Sequence, residues 1–322
     1  MVTSRMPSPL PEPIRARLQA RLGRALLTQR LHLESHYVAR VFGHGLTYFH
    51  IENMLWLHWF IRLGFKMLGL YGRGRRNALD VKVRHNRLPL RRLPPEFEGY
   101  TLLQVSDLHL DVTPGLVDAV AAVIKPLKYD VAVLTGDFRA RTYGEIGTAL
   151  NELARLRPEF RGEVYGVMGN HDFVEMLPPM EDMGIRFLMN EHVWLRRGEA
   201  TVCLAGVDDS HFYETDNIQA AAAHLEKEVP AILLSHSPEI YRKAAACGFD
   251  AVLCGHTHGG QICLPGGIPF VMNARAPIRT ARGAWTYRGM VGYTSAGAGC
   301  SGVEMRFWCP PEVTLHTLTR AP

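Results

Sequence analysis

Five short polar blocks, each placed directly after an apolar run, constrain this chain more than any other feature of its sequence. The blocks are Asp107-Leu108-His109, Gly136-Asp137, Gly169-Asn170-His171-Asp172, His236 and Gly255-His256-Thr257-His258. They contain aspartate, asparagine and histidine but no cysteine. Carboxylate, amide and imidazole groups bind hard to borderline divalent cations, whereas structural zinc sites commonly use thiolates. The blocks therefore predict a site for two divalent metal ions.

The apolar runs before these blocks are predicted to be buried β-strands. Short apolar runs bounded by turn residues are typical of strands that are covered on both faces. The runs span residues 100–106, 130–135, 163–168, 231–235 and 251–254, with helical patterns at 116–127, 145–156 and 237–246. Alternating strands and helices predict an α/β fold with a largely parallel sheet, in which ligands bind beyond the carboxyl ends of the strands. All five blocks are therefore expected at one edge of the core.

Two metal ions held by nitrogen and oxygen ligands suit hydrolysis at phosphorus. Such a pair lowers the pKa of a bound water and neutralises phosphoryl oxygens. The blocks therefore predict a hydrolase of phosphate esters or anhydrides. We expect two divalent ions, with Mn²⁺ first and Fe, Zn or Ni as alternatives.

The five blocks, taken in order, resemble the pattern of the calcineurin-like metallophosphoesterases over roughly residues 99–320. The resemblance implies a four-layer α/β/β/α sandwich with the metals at the sheet edges. It implies that one metal is held by Asp107, His109, Asp137 and His258. It implies that the other is held by Asp137, Asn170, His236 and His256, so that Asp137 bridges the two. By the same resemblance, the residue that contacts the substrate phosphate and serves as general acid for the leaving group is His171.

Physical arguments agree with the roles that the resemblance implies. A shared carboxylate such as Asp137 can hold two ions about 3.5–4 Å apart, a separation that suits in-line displacement. Asn170 is a neutral ligand, so the loaded site keeps a positive charge for an anionic substrate. Three glycines permit tight turns and close approach of a phosphate to the backbone: Gly136, Gly169 and Gly255.

Taken singly, these residues have simpler explanations. A lone histidine such as His236 is more often a hydrogen-bonded structural residue, and Asp137 after a strand is more often a helix N-cap. His256 and His258 could merely satisfy a loop, although two histidines in this spacing after a buried strand are usually a ligand pair. Within one ordered set, ligation is favoured for all four. Asp172 is expected either to cap the following helix or to contribute to catalysis.

Several polar residues near the blocks are less constrained. Arg139 and Arg141 either contact substrate phosphates with bidentate geometry or are solvated residues at a helix start. His211 is expected to be a solvated loop residue rather than a substrate contact. No ligand role is assigned to Asp111, Asp208 or Asp209.

Charge divides the chain into two parts. Residues 1–100 contain 17 Lys and Arg but 6 Asp and Glu, a balance of +11, which leaves −6 for the remainder of a chain whose net charge is +5. We therefore predict a basic helical extension over residues 1–98 and a catalytic domain over residues 99–322. A basic extension of this kind points to a nucleic acid or to an anionic membrane surface.

Residues 44–72 of this extension are predicted to form a helix that lies on a membrane surface. The segment is rich in aromatic residues, and its longest charge-free stretch, residues 53–61, is too short to span a bilayer. Arg62 and Lys66 lie on one helical face, and three arginines follow directly, Arg73, Arg75 and Arg76. Apolar insertion and attraction to anionic lipid would dock residues 44–76 on a membrane, and this partner is favoured over nucleic acid. The alternative is an ordinary helix packed against the catalytic core or a partner subunit.

The sequence predicts a cytoplasmic protein that is peripheral on the inner face of the cell membrane. The first 30 residues lack the apolar core of a secretory signal. The six cysteines form no C-x-x-C pair, which indicates reduced thiols in a cytosolic environment. Residues 77–95 are basic and contain proline, so they are expected to connect the extension to the first core strand.

The C-terminal third is similar to one branch of the family, the membrane-associated bacterial phosphodiesterases. The similar segments are residues 255–266, 293–299 and 307–315. That branch includes the UDP-2,3-diacylglucosamine pyrophosphatases of lipid A synthesis, so the resemblance implies an acylated nucleotide-sugar substrate. The alternatives are a phosphodiesterase or phosphatase for soluble substrates or nucleic acid, and a membrane-docking metal-binding scaffold with little turnover.

Overall fold

The computed structural model describes residues 10–37, 55–142, 144–269 and 274–321. At its centre, two six-stranded sheets pack face to face. In spatial order, the first sheet contains β1 (Lys82–Leu90), β14 (Glu312–Arg320), β2 (Thr101–Val105), β3 (Val131–Thr135), β4 (Val164–Val167) and β5 (Ile185–Phe187). The second contains β12 (Gly283–Tyr287), β13 (Met290–Thr294), β9 (Ala251–Cys254), β8 (Ala231–Leu234), β7 (Ala200–Gly206) and β6 (Glu191–Arg197). A short hairpin is formed by β10 (Cys263–Leu264) and β11 (Ile268–Pro269).

The central strands are apolar on both faces because each is covered by the opposing sheet on one face and by helices on the other. In β3, Val131 and Val133 belong to the core between the sheets, whereas Ala132 and Leu134 belong to the core under the helices. Burial on both faces explains why these runs are continuously apolar. The five predicted strands are present as β2, β3, β4, β8 and β9.

Helices cover the outer face of each sheet and complete an α/β/β/α sandwich, so the predicted fold class is confirmed. The first sheet is covered by α5 (Leu116–Ile124), α6 (Gly147–Leu156) and α7 (Leu177–Asp182). The second is covered by α8 (Ile218–Ala221) and α9 (Tyr241–Ala246). The helix predicted at residues 237–246 begins as a separate 3₁₀ turn over Pro238–Ile240.

The described part of the N-terminal extension is helical and packs on the catalytic domain. Its helices are α1 (Glu12–Leu22), α2 (Arg24–Tyr37), α3 (Leu55–Met67) and α4 (Tyr71–Leu79). The sequence of residues 14–33 predicts one helix, but the structure divides it at Gly23, whose φ of 78° is not compatible with an α-helix. Leu18 and Leu27 are buried in the core beneath the first sheet. The α1–α2 hairpin is therefore anchored to the domain by apolar burial.

The segment predicted as a connector contains a sheet strand instead. Within residues 77–95, β1 pairs in parallel with β14 from Lys82 to Leu90. Leu88 and Leu90 are buried in the core between the two sheets. The other β1 side chains are mostly basic and exposed, as is common on an edge strand, and this composition hid the strand in the sequence.

Ion pairs within the molecule neutralise part of the positive charge of the extension with acids of the catalytic domain. Basic residues of the first hundred contact acids of the domain in pairs that include Arg17–Asp182 (2.7 Å), Arg21–Glu181 (3.0 Å), Arg62–Glu304 (2.8 Å) and Arg92–Asp250 (2.7 Å). The positive balance of the extension therefore does not all face an external partner.

The contact between the two sheets gives a stability prediction. Gly206 ends β7 where a Cβ would lie 2.5 Å from Leu188 Cβ and 2.7 Å from Val167 Cγ1. Gly206→Ala should lower the free energy of unfolding by about 1–3 kcal/mol, because the core is already filled. Gly147→Ala, where no atom lies within 4 Å of the added Cβ, should be neutral or stabilising. Denaturant unfolding of both variants measures this, and equal effects would contradict a tight contact at Gly206.

Candidate metal centre

All five polar blocks meet at one edge of the sandwich, as predicted. They follow β2, β3 and β4 of the first sheet and β8 and β9 of the second. Backbone hydrogen bonds join neighbouring blocks: His109 N donates to Asp137 O at 3.0 Å, and Gly255 N donates to His236 O at 2.8 Å. The side chains of all eight predicted site residues are buried. The site therefore lies where both sheets end.

Left-handed backbone turns place successive side chains toward one point. Asp107, His109, Asp137, His256 and His258 have φ values between 41° and 73°. Such conformations are unfavourable for residues other than glycine and persist only where the surroundings enforce them, often at functional sites. The turn directly after β2 allows Asp107 and His109, two residues apart, to face the same position.

The first ligand group consists of Asp107, His109 and His258, whose ligand atoms all lie within 4.8 Å of one another. Nε2 of His109 lies 2.9 Å from Nε2 of His258, which lies 3.6 Å from Oδ1 of Asp107. His109 Nδ1 donates to the carbonyl oxygen of Arg139 at 2.7 Å. Because a carbonyl only accepts, neutral His109 keeps a lone pair on the Nε2 that faces the group.

The second ligand group consists of Asp137, His236 and His256, within the same distance of one another. Oδ1 of Asn170 lies 3.0 Å from Nε2 of His236 and 2.9 Å from Nδ1 of His256. The amide oxygen of Asn170 thus supplies a fourth candidate ligand atom. The set predicted for the second metal is brought together completely.

The chemistry of the second group fits a cation. His236 Nδ1 donates to the carbonyl oxygen of Thr135 at 2.8 Å, so a neutral His236 carries a lone pair on Nε2. That atom faces Oδ2 of Asp137 at 3.1 Å and Oδ1 of Asn170 at 3.0 Å, and both of these oxygens are acceptors. Three facing lone pairs repel one another unless a proton or a metal ion lies among them.

The pKa values of the site residues also indicate that a positive charge is stabilised there. Burial disfavours the charged form of His236, but attraction to Asp137 outweighs it and raises the pKa of His236 to about 10. Burial opposes ionisation of Asp137 too, yet His236 and His171 hold the pKa of its carboxyl well below the usual range. Burial lowers the pKa of His109 to about 4 and that of His256 well below its ordinary value. A divalent ion would replace the proton on His236 and meet ligands that are otherwise deprotonated.

Asp137 lies between the two groups. Its Oδ2 is 3.1 Å from Nε2 of His236 in the second group and 3.6 Å from Nε2 of His109 in the first. A carboxylate at this position can contact both metals, as the predicted bridging role requires. The two groups therefore fit a dinuclear metal centre.

Comparison with known proteins identifies the family. Residues 100–260 match the family model described as calcineurin-like phosphoesterase. The Bacillus subtilis metallophosphoesterase YkoQ is 31% identical over 255 residues, which cover 76% of this chain and 92% of that protein. The chain belongs to the calcineurin-like phosphoesterase family. With its two ligand groups, this phosphoesterase is a metal-dependent hydrolase of phosphoesters.

Two further relatives differ in length. A Danio rerio protein named transmembrane protein with metallophosphoesterase domain is 30% identical over 262 residues, which are 76% of this chain and 59% of that protein. A Helicobacter pylori metallophosphoesterase (strain 26695) is 27% identical over 274 residues, which are 80% of this chain and 70% of that protein. The chain thus spans less than two thirds of the Danio rerio relative.

Asp172 does not cap the helix that follows it in this phosphoesterase. Its carboxylate accepts hydrogen bonds from the backbone N–H groups of Asp137, Phe138 and Gly169, each at 2.8 Å. The interpretation of Asp172 as a helix cap is therefore wrong. Asp172 ties the loop that carries Asn170 and His171 to the loop that carries Asp137.

Gly169 and Gly255 provide space for the carboxylates of the site. A Cβ on Gly169 would collide with Oδ1 of Asp137, and a Cβ on Gly255 would collide with the side chains of Ser106 and Asp107. Gly136 has a φ of 85° and makes the tight turn that the sequence predicts. The absence of a side chain at Gly169 and Gly255 therefore lets the carboxylates of Asp137 and Asp107 lie close to the backbone.

His171 lies beside both ligand groups. Its Nε2 is 3.8 Å from Oδ2 of Asp137, and its ring meets the ring of His109 edge to face, with centroids 5.1 Å apart. His171 Nδ1 is buried and has no hydrogen-bond partner among the residues that the structure describes. A buried ring nitrogen without a protein partner suits contact with a substrate oxygen, which agrees with the role implied by the resemblance.

The expectation that His211 is solvated is wrong. His211 is buried, and its ring centroid lies 4.1 Å from that of His256. Its Nδ1 lies 2.9 Å from Oε1 of Glu239, and Asp209 accepts hydrogen bonds from the backbone of the same loop, at residues 211–213. No local signal marks His211, because its partners come from the loops after β7 and β8. The carboxylates of Asp208 and Asp209 accept hydrogen bonds within this loop, consistent with the absence of a predicted ligand role.

Arg139 is not a solvated residue at a helix start. It is buried, with its guanidinium 4.5 Å above the ring of Phe173, and α6 begins only at Gly147. Arg141 is exposed. Asp111 accepts a hydrogen bond from Ala140 N at 2.7 Å and so fixes this loop rather than a metal.

The position of Asp137 between the groups predicts that one substitution removes both metals. Asp137→Ala should abolish turnover and lower bound Mn²⁺ well below two ions per chain, because both ions lose a ligand. Metal analysis of purified protein measures the stoichiometry. Asp118→Ala, an exposed carboxylate on α5, should keep two ions and full activity. Full activity with one bound ion, in the wild type or in Asp137→Ala, would refute the dinuclear centre.

Proposed function

We propose that this phosphoesterase hydrolyses a phosphoester or pyrophosphate bond in a lipid-linked substrate that is held at an anionic membrane surface. An acylated nucleotide sugar such as UDP-2,3-diacylglucosamine has this chemistry. Its acyl chains would remain in the bilayer while its pyrophosphate reaches the metal centre. The observation that supports the proposal most strongly is the outer face of α3.

The outer face of α3 is apolar and exposed. The exposed side chains of this helix and the turn after it are Trp56, Trp59, Phe60, Met67 and Leu68, each more than half accessible to solvent. A contiguous exposed patch of large apolar residues is unusual on a soluble protein and often marks an interaction surface. Tryptophan and phenylalanine favour the interface between water and the lipid chains.

The inner face of α3 is fixed to the catalytic domain. His58 is buried against Gly302, Arg62 pairs with Glu304 at 2.8 Å, and the ring of Phe65 stacks on that of Phe307 at 5.0 Å. These three helix positions are spaced by four and three residues, so they share one face. Arg62 therefore binds the protein rather than lipid, contrary to its predicted place in the basic flank. The alternative of a helix packed against the catalytic core thus applies to the inner face of α3, and membrane docking is what we propose for the outer face.

Basic residues next to α3 match a negatively charged surface. Arg73 and Arg76 of α4 are exposed, and each basic residue close to an anionic membrane contributes about 1 kcal/mol of attraction. Among the described residues, no helix is both long and apolar enough to cross a bilayer. The first part of the predicted interface segment, residues 44–54, lies outside the described residues. Surface docking through α3 and α4 is the arrangement that we propose.

The segment under α3 leads to the metal centre. Arg306 lies one residue before Phe307 and is fully buried. Its guanidinium donates to the carbonyl oxygen of Ala296 at 2.8 Å and lies 3.3 Å from Nδ1 of His258. Trp308, which follows Phe307, is 57% exposed. A lipid bound along α3 would therefore lie next to the segment that braces a metal ligand.

The residues of the centre account for the hydrolytic step. When bound, two divalent ions supply a hydroxide near neutral pH and neutralise phosphoryl oxygens. Asp137 and the histidines hold the protein side of that arrangement in fixed, buried positions. His171 can contact the phosphate and give a proton to the leaving oxygen from a ring nitrogen that no described protein group occupies.

The role of His171 is testable separately from metal binding. His171→Ala should keep both metals and lower kcat by about 10²–10⁴-fold, the usual range for a general acid. The loss should be smaller for a diester with a good leaving group such as p-nitrophenol, which needs less protonation. Loss of a metal from the variant would show that His171 is a ligand instead.

The outer face of α3 predicts a separation between two substrates. Replacing Trp56, Trp59 and Phe60 with Ser should release the protein from vesicles that contain anionic lipid and slow hydrolysis of a diacylated UDP-sugar. Hydrolysis of bis-p-nitrophenyl phosphate in Mn²⁺ should survive, because the inner face of α3 is unchanged.

A matched control is Ile278→Ser, which removes an exposed apolar side chain outside α3 and should leave vesicle binding unchanged. Unchanged vesicle binding by the triple variant, or equal loss with both substrates, would contradict the membrane proposal. If the wild-type protein hydrolyses the soluble diester but not the diacylated UDP-sugar, the lipid-linked substrate is ruled out. The function is then hydrolysis of soluble phosphoesters.

A further inference from the structure

A buried charged group on α2 contacts the loop that carries Asn170 and His171. Arg30 is fully buried, although α2 lies outside the residues matched by the family model. Its Nη2 donates to the carbonyl oxygen of Asp172 at 2.8 Å. Four residues further along the same helix, Oε1 of Glu34 accepts the backbone N–H of Val174 at 2.8 Å. The two side chains therefore hold the main chain on both sides of Phe173, directly after the candidate ligand and general acid.

The same arginine contacts a loop of the second sheet. Its Nη1 lies 3.6 Å from Oδ1 of Asp208, and its guanidinium lies 3.5 Å above the ring of Tyr213. Residues 208–213 also carry His211, whose ring lies against that of His256. Arg30 thus connects the loop after β4 with the loop after β7. Both loops border the second ligand group.

The contacts of Arg30 continue to the bridging carboxylate. Arg30 fixes the main chain of Asp172, and the carboxylate of Asp172 fixes the backbone of Asp137 and Gly169. The first ligand group has no such connection among the described contacts of Arg30, since Asp107, His109 and His258 lie on other loops. Any effect of Arg30 should therefore fall mainly on the second group, and the first group should be affected only through the shared Asp137.

Stability alone is a weak reason to bury these charges. Removing an arginine and a glutamate from water is unfavourable, and apolar residues of similar volume often stabilise a core equally well. Burial disfavours the charge of Arg30, but Asp208 and Glu34 outweigh it and raise the pKa of the guanidinium. A permanently charged, planar fork can hold several oxygens at fixed angles, which an apolar side chain cannot do.

We propose that Arg30, with Glu34, is a positioning residue for the second metal site, and that the α1–α2 hairpin is thereby a working part of the metal centre. Arg30 holds the loop at residues 169–174 against the loop at residues 208–213. This contact keeps Asn170, His171 and His256 in register with Asp137 and His236. The inference depends on the dinuclear centre but not on the lipid substrate.

The test compares three substitutions in the full-length, metal-stripped protein. Arg30→Met removes the charge and the fork, Arg30→Lys keeps only the charge, and Glu34→Gln keeps the size of the side chain. The control is Arg17→Met in the same hairpin, whose guanidinium contacts Asp182 and the carbonyl oxygen of Pro178 at the surface. Mn²⁺ titration measures the two binding steps, and hydrogen–deuterium exchange measures the metal-free loop at residues 169–174.

Arg30→Met should weaken the second Mn²⁺ site about 10–100-fold, the range usual for groups that orient ligands, and should weaken the first site much less, because only the shared Asp137 connects it to Arg30. Exchange at residues 169–174 should accelerate even without metal. For bis-p-nitrophenyl phosphate, kcat should fall more than KM rises, and excess Mn²⁺ should restore part of it. Glu34→Gln should show a smaller change of the same kind, Arg30→Lys should recover part of the loss, and Arg17→Met should match the wild type.

Two results would overturn the proposal. One is wild-type affinity for both ions in Arg30→Met and Glu34→Gln. The other is an equal loss of both sites, in proportion to a lower melting temperature, because Arg30 would then act only through general stability. If Arg30→Met does not fold, the milder Glu34→Gln decides by the same two criteria.

Discussion

The rest of this structure depends on one constraint: several oxygen and nitrogen atoms with lone pairs lie close together in the buried metal centre. Oδ2 of Asp137 and Oδ1 of Asn170 lie 3.1 Å and 3.0 Å from Nε2 of His236. The backbone contact of His236 leaves this Nε2 without a proton when the ring is neutral. Such an arrangement is unfavourable without positive charge. Five residues with left-handed backbone conformations, and three glycines of the polar blocks where a Cβ would collide with other atoms, shape the loops that carry these ligands. Unfavourable backbone conformations are therefore retained in this fold at the positions that form the cation site.

The sequence predicted the elements whose signals are local. The strands before the blocks, and the block residues themselves, are recognisable because two-sided burial makes continuous apolar runs and because the ligands follow directly. β1 was missed, since basic residues cover its exposed positions and only Leu88 and Leu90 reveal its inner face. His211, which the sequence predicts to be solvated, and Arg30, to which it assigns no role, differ from expectation for another reason. Their partners, Glu239 and Asp172, are distant in sequence, so no spacing could reveal them.

The N-terminal extension is more closely joined to the catalytic domain than its charge suggests. Arg30 of α2 contacts the loop of Asn170, while α3 and α4 pack on residues 302–307, next to Arg306 and His258. The two halves of the extension thus contact segments next to different ligand groups. One half serves the geometry of the second ligand group. The other presents an apolar face outward and packs on the segment that contacts His258, as the proposed docking of an acylated substrate requires.

Electron paramagnetic resonance of the Mn²⁺-loaded protein tests the central claim most directly. Two ions about 3.5–4 Å apart and bridged by one carboxylate are magnetically coupled. At two equivalents of Mn²⁺, the protein should give the broad, temperature-dependent spectrum of a coupled pair, and the ordinary six-line signal of isolated Mn²⁺ should be weak. A spectrum that shows only isolated, uncoupled Mn²⁺ at full loading would contradict a dinuclear centre bridged by Asp137.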